Sequence, residues 1–253
     1  MQLGYPRPQL RRAAWTSLDG PWQFAFDHDL RWRIPRDVPD WPLTIQVPYA
    51  PECALSGIGD EGFHRACWYR RSFEVPDLKA HRANGGRVLL HFGAVDYQAR
   101  VWVNGIKVAT HEGGHTPFSA DITFALNAEG PQIVAVWAED DPFDMEKPRG
   151  KQDWKREPHG IWYPRTTGIW QTVWFECVPA TYLQAMRWVC AVGSPPRRPT
   201  ASDSSRKWPC SSARIRCSVS SADSPVADVP STVPSSMMSS RGSSTSPVTS
   251  LSA

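Results

Sequence analysis

Three stretches of this chain carry residue types that do chemistry. His111-Glu112-Gly113-Gly114-His115 fits H-E-x-x-H, where two imidazoles on one helix face bind zinc and the glutamate acts as base. Gly113-Gly114 costs a helix about 2 kcal/mol, and Pro117 follows at once. That context predicts a structural loop with no metal. Gly57-Ile58-Gly59-Asp60-Glu61-Gly62 fits the dinucleotide fingerprint G-x-G-x-x-G, which requires a strand before it and a helix after it so that amide N–H groups face phosphate. Pro48 and Pro51 precede it, an aromatic strand follows, and Asp60 and Glu61 repel a pyrophosphate. A surface loop and no cofactor are expected. The third stretch begins at Glu139-Asp140-Asp141-Pro142-Phe143-Asp144, continues through Lys151-Gln152-Asp153-Trp154, and ends at Ile161-Trp162-Tyr163-Pro164-Arg165. Carboxylates and a guanidinium beside aromatic rings suit a sugar, whose C–H faces stack on rings while its hydroxyls take charged partners. Acid–base cleavage of a glycoside needs two carboxyls roughly 5 to 9 Å apart. The same residues also read as a solvated acidic loop with Trp162 and Tyr163 in the core. Structureless loops of about 30 residues are uncommon without a binding role.

These stretches lie between strands. Trp22, Phe24 and Phe26 alternate with Gln23, Ala25 and Asp27, the period of a half-buried strand, after the turn Leu18-Asp19-Gly20-Pro21. The alternation recurs over Trp68–Val75 and Val95–Asn104. Asn104-Gly105 then predicts a tight hairpin turn, with Ile106–Thr110 returning. Arg87–Phe92, Gln132–Ala138 and Ile169–Cys177 complete the set, the second apolar on both faces and therefore central. No stretch shows a sustained helical period with caps. The fold class expected is all-β, a sandwich of the jelly-roll or immunoglobulin kind.

The composition breaks near Cys190. Of the 28 aromatic residues only Trp208 lies beyond position 190, whereas 20 of the 24 serines do. Residues 191–253 contain no Glu and one Lys, and are too poor in large apolar side chains to offset chain entropy. We therefore expect a sandwich over 1–188 and a disordered Ser/Pro/Arg-rich tail over 189–253. No linker separates the two, so the tail reads either as out-of-frame sequence or as a Ser/Pro-rich stalk.

A net charge of +3 without basic clusters gives no reason to expect a nucleic-acid partner. Apolar runs such as Ile133–Ala138 fall far short of the roughly 20 residues that span a bilayer, and residues 1–10 lack the pattern of a signal peptide. A cytoplasmic protein, not membrane-bound, is expected. Its six cysteines, without a C-x-x-C, read as free thiols.

Dense local matches then emerge: Tyr5-Pro6-Arg7-Pro8, Leu18-Asp19-Gly20-Pro21-Trp22-Gln23-Phe24, Trp68-Tyr69-Arg70-Arg71, Phe92-Gly93-Ala94-Val95-Asp96-Tyr97, and Val101-Trp102-Val103-Asn104-Gly105. They continue through His111–Phe118, Gly150–Trp154 and Tyr163–Gln171. Over residues 5–188 the chain resembles the amino-terminal sugar-binding domain of glycoside hydrolase family 2, the β-galactosidases, β-glucuronidases and β-mannosidases. The resemblance implies a galactose-binding-like jelly roll, with the H-E-G-G-H stretch as a hairpin element. It also implies a carbohydrate partner, a terminal β-linked sugar. In the family an immunoglobulin-like domain and a TIM barrel follow, the barrel carrying the acid/base and nucleophile glutamates. A barrel takes roughly 250 residues, so this chain is expected to carry no catalytic residue, to be inactive alone, and to pack normally on carboxy-terminal domains it lacks. By the resemblance Asp96, Trp162 and Arg165 are the sugar contacts. Where relatives place an Asp before the Gly-Ile turn, this chain has Trp162-Tyr163-Pro164-Arg165. The alternatives are a free-standing carbohydrate-binding module using Trp162, Tyr163 and Asp96, and a β-sandwich interaction module whose aromatics are all core.

Overall fold

The computed structural model describes residues 4–190, 213–221 and 224–231. The first compact unit, essentially the chain up to Tyr182, holds strands β1 (Trp15–Ser17), β2 (Gly20–Phe26), β3 (Leu43–Val47), β4 (Ala66–Phe73), β5 (Arg87–Phe92), β6 (Val95–Asp96), β7 (Gln98–Val103), β8 (Ile106–Glu112), β9 (Phe118–Asp121), β10 (Gln132–Glu139), β11 (Gly168–Ile169) and β12 (Val173–Val178). They form antiparallel sheets in the orders β1-β12-β5-β9 and β3-β2-β4-β10-β7-β8, with β11 and β6 as a separate pair. One core is shared by inward residues of both larger sheets: Trp22, Phe24, Tyr69, Val101, Val134 and Val136 from the six-stranded sheet, and Val88, Leu90, Phe92, Val173 and Phe175 from the four-stranded one. The expected all-β sandwich is present.

Alternation decides which residues face inward. In β2 Trp22 and Phe24 are buried and Gln23 is exposed, the outcome a pleat imposes when one face meets a core. β10 lies between β4 and β7, as its apolar faces predicted. Its second face is covered because Trp68, Trp102 and Trp137 form an outer layer with Trp32, Ile34 and Trp41 of the segment between β2 and β3. Asp27 starts that segment, accepting hydrogen bonds from the Arg31 and Trp32 amides and from the Trp68 indole, at 2.8, 3.2 and 3.2 Å. Asn104 and Gly105 close the β7–β8 hairpin with φ of 51° and 82°, the left-handed pair that a tight hairpin requires.

Three expectations are corrected. Ile169–Cys177 is not one strand: β11 pairs with β6, β12 pairs with β5, and Trp170–Thr172 turn the chain between the two partners. Val95–Val103 divides in the same way at Tyr97, whose amide donates to Glu139 O at 3.2 Å as the chain passes from β6 to the main sheet. A six-residue helix, α1 (Leu78–Ala83), connects β4 and β5. It is too short to give a periodic signal.

β13 (Tyr182–Cys190), β14 (Ala213–Ser221) and β15 (Ser224–Ser231), most of whose residues belong to the second unit, form a sheet in that order. The expectation of disorder over 189–253 falls largely outside the described residues, and the two segments beyond 190 that are described are strands. Cys53, Cys67 and Cys177 are free thiols. No described helix is long and apolar enough to cross a membrane.

Candidate functional site

Four connections come into contact: β3–β4 reaches the long β10–β11 connection through Glu52 and Thr167, β6–β7 lines one cavity with that connection, and β8–β9 lies against Asp96 through Gly114. Asp96 sits where β6 pairs with β11, in register with Gly168. The residue is 3 % exposed, and its carboxylate lies against Gly114, where a Cβ would come within 2.2 Å of Oδ1. Only glycine permits that approach. The Gly114 carbonyl accepts the Trp170 indole N–H at 2.7 Å. The H-E-G-G-H stretch is thus the wall behind Asp96. His111 ends on β8, stacked on Phe118 at 4.3 Å and bonded to Thr116 Oγ1 at 3.0 Å, while His115 packs edge-on to Trp170. Among the described residues no group of three or more His, Cys, Asp or Glu is arranged to hold a metal. The Gly57–Gly62 stretch is a loop, as expected, with Asp60 accepting the Gly62 amide at 2.9 Å.

The long loop folds onto Asp96 through its own charges. Asp140, buried just after β10, accepts Lys147 Nζ at 2.7 Å and pairs with the buried guanidinium of Arg165, which also lies over the Phe63 ring at 5.7 Å. Asp153 fixes the far part of the loop, accepting the Lys155 and His159 amides at 3.0 and 2.8 Å and the His159 ring at 2.6 Å. Burial opposes its charge, but these donors outweigh it and hold the carboxyl at about 2. Asp96, Asp140, Lys147, Gln152 and Arg165 then line one cavity of about 10 Å³, room for roughly one water. Burial, with the Asp140 charge, pushes the Asp96 carboxyl up to about 6 against the hydrogen bond from Gln152. Two residues beyond Arg165, the Thr167 amide donates to Glu52 at 3.2 Å, and burial pushes the Glu52 carboxyl up to about 7.

Of the three expected contacts, the structure brings Asp96 and Arg165 to this cavity and leaves Trp162 outside it. Trp162 packs edge-on to Trp154 at 5.1 Å, and its amide donates to His159 O. Asp140, Gln152 and Glu52 complete the constellation. The first two lie in runs whose composition marks the loop, whereas Glu52 carries no local signal.

The family model for "Glycosyl hydrolases family 2, sugar binding domain" matches residues 36–145, a stretch that ends in this loop and includes Asp96. Over that stretch the chain is similar to the family 2 sugar-binding domain. A β-glucuronidase of Paenibacillus borealis is 34 % identical over 126 residues, 47 % of this chain and 20 % of the relative. A β-galactosidase of Thermoanaerobacter pseudethanolicus is 30 % identical over 131 residues, 51 % of this chain and 16 % of the relative. The stretch matched is thus a fifth or less of those proteins. The solved β-glucuronidase of Faecalibacterium prausnitzii shares the fold at a TM-score of 0.55 and 22 % identity, over 90 % of this chain and 40 % of that one.

The raised carboxyl of Glu52 makes the stability of the sandwich depend on pH. Unfolded, the group titrates near 4.5; folded, near 7. Its contribution is therefore fully present below about 4.5 and is lost as pH rises through 7. A shift of this size corresponds to about 3 kcal/mol. Glu52→Gln keeps an acceptor for Thr167 N–H and removes the buried charge, so its melting temperature should exceed wild type by about 5 to 10 °C at pH 8. Circular dichroism melts should show that gap closing toward pH 4; a gap independent of pH would reject the assignment.

Proposed function

We propose that this domain is the accessory sugar-binding part of a family 2 β-glycosidase, a hydrolase of O-glycosyl bonds, with Asp96 and Arg165 contributing to the terminal-sugar subsite. The observation that carries the reading is the contrast between the site and its rim. The cavity beside Asp96 admits about one water, too little for a sugar ring. The β10–β11 loop, which supplies most of that cavity's lining, exposes Phe143 (77 %), Met145 (74 %), Ile161 (68 %) and Tyr163 (62 %). Exposed apolar groups clustered on one loop mark a surface that packs on something else. A half-site with an apolar rim is suited to completion by another domain, as the family resemblance implies for the barrel. Hydrolysis belongs to that domain, so the chain alone is inactive. The relatives named β-glucuronidase and β-galactosidase support a terminal β-linked sugar as partner. The reading extends to a cytoplasmic protein whose tail beyond 188 is out of frame.

The test is the nucleotide sequence through and beyond the codons for Trp188–Ala253, translated in all forward frames. A neighbouring frame encoding an immunoglobulin-like segment and a barrel is expected. In the protein made by joining that frame to residue 188, Asp96→Ala should lower kcat/KM for an aryl β-glycoside by about 10 to 100-fold. The absence of such a frame, or unchanged kcat/KM, rejects the reading. The free-standing module then becomes the reading to test by sugar titration, with the half-exposed Trp154 and exposed Tyr163 as its stacking surface.

A further inference from the structure

The polar groups around Asp96 are not equivalent. Gln152 alone bridges it to another segment of the loop. The Gln152 Oε1 accepts the Thr166 amide at 2.8 Å, and its Nε2 donates to Asp96 Oδ2 at 2.7 Å. The backbone donor at Thr166 dictates this orientation, because a flipped carboxamide would set N–H against N–H at one end and oxygen against carboxylate at the other. The side chain also stands on a fixed backbone. Gln152 forms a parallel bridge with Tyr163; beside it the Tyr163 amide donates to Lys151 O and the Asp153 amide to Tyr163 O, both at 2.9 Å. Thr166 is the residue after Arg165, so one carboxamide spans the two positions that the functional reading relies on. On its other side Asp96 is blocked by Gly114. The carboxylate is thus gripped from both sides.

We propose that Gln152 is the positioning residue of this site, its carboxamide holding the Asp96 carboxylate aimed and at fixed spacing from the segment that carries Arg165. The role rests on reading Asp96 as a sugar contact. The charges acting on Asp96 are Asp140 and Arg165 from the loop and His115 from the β8–β9 turn, and Asp141, Asp144, Lys147 and Arg149 line the same cavity. Among the described residues, Gln152 supplies the hydrogen bond that the Asp96 side chain accepts.

The test is carbon-detected carboxyl NMR of the full chain with Gln152→Ala and Gln152→Glu, without sugar. In Gln152→Ala the Asp96 midpoint should rise by about one unit, a tenfold gain in proton affinity, and the Thr166 amide signal should move. Gln152→Glu places two carboxyls in hydrogen-bond contact, and such a pair shares one proton and titrates in two separated steps. Its Thr166 amide should return toward the wild-type position at low pH, where the pair is protonated, and depart from it as pH rises. A residue that merely fills space shows no such rescue. An unchanged Asp96 midpoint and Thr166 signal in Gln152→Ala, or a Gln152→Glu protein identical to Gln152→Ala at every pH, overturns the proposal. Because no sugar enters this measurement, its failure is distinct from failure of the sugar reading, which is decided by the locus and by the Asp96→Ala kinetics.

Discussion

Gly168→Ala should cost the sandwich about 4 kcal/mol and abolish the loop arrangement around Asp96. Gly168 has φ +75°, and a Cβ there would lie 2.2 Å from Tyr69 Oη and 3.1 Å from Cys67 Sγ. Left-handed backbone costs a non-glycine residue about 1 kcal/mol or more, and overpacking a closed core adds about 1 to 3 kcal/mol. Neither neighbour has room to retreat: Tyr69 is fully buried and packs edge-on to Phe24 at 5.0 Å and Trp22 at 6.4 Å. Displacing it also breaks the hydrogen bond in which Ile169 N–H donates to Tyr69 Oη at 3.1 Å, worth about 1 kcal/mol. Denaturant midpoints measure the loss. Tyr69→Phe removes the atom nearest the added methyl, so the double variant should cost at least 1 kcal/mol less than the sum of the singles. Strict additivity would show that the clash is not with Tyr69.

At the other face of the four-stranded sheet, Glu176→Gln should cost about 3 kcal/mol at pH 7. Glu176 is fully buried on β12 and accepts Arg12 Nε at 2.6 Å, Trp174 Nε1 at 3.1 Å and the Tyr5 hydroxyl, with His91 Nε2 at 3.4 Å. Burial opposes the charge, but the His91 ring 3.4 Å away and the hydrogen bonds from Tyr5 and Trp174 outweigh it and hold the carboxyl at about 2. Its unfolded value near 4.5 is higher. The contribution is thus present above 4.5 and lost as pH falls through 2, the opposite sense to Glu52. The difference corresponds to about 3 kcal/mol, and a neutral carboxamide forfeits it while leaving a buried cluster built around an anion. Urea melts from pH 7 to pH 2 should show the variant and wild type converging at the acid end. A deficit that stays constant with pH would assign the effect to packing instead. Because Tyr5 and Arg12 reach Glu176 from the amino-terminal segment, proteolysis there should also quicken in the variant.

Much of the fold was legible in the residue order. Trp22, Phe24, Val88, Leu90 and Phe92 face inward because a strand's side chains alternate, a property of the nearest two residues alone. Asn104-Gly105 turned the chain where its left-handed tolerance predicted. The breaks at Tyr97 and Trp170–Thr172 were not legible, since each is a change of hydrogen-bonding partner and both flanking segments keep strand-like sequence.

The candidate site divides in the same way. Sequence and resemblance placed Asp96 and Arg165 among the residues to watch and marked the loop between Glu139 and Gly168 by its length and acidity. Only the tertiary structure decided that Asp96 and Arg165 share a cavity, that Trp162 turns away to Trp154, and that Gln152 and Asp140 are their immediate partners. It also raised Glu52, distant in sequence from Thr167, to about 7 by burying it. Alternation and turn chemistry are set by neighbours along the chain, so the sequence by itself determined the sandwich and its inward faces. Loop closure and carboxyl charge depend on groups 25 to 115 residues apart brought within hydrogen-bond reach, and only the folded chain fixes those distances and the loss of water around them.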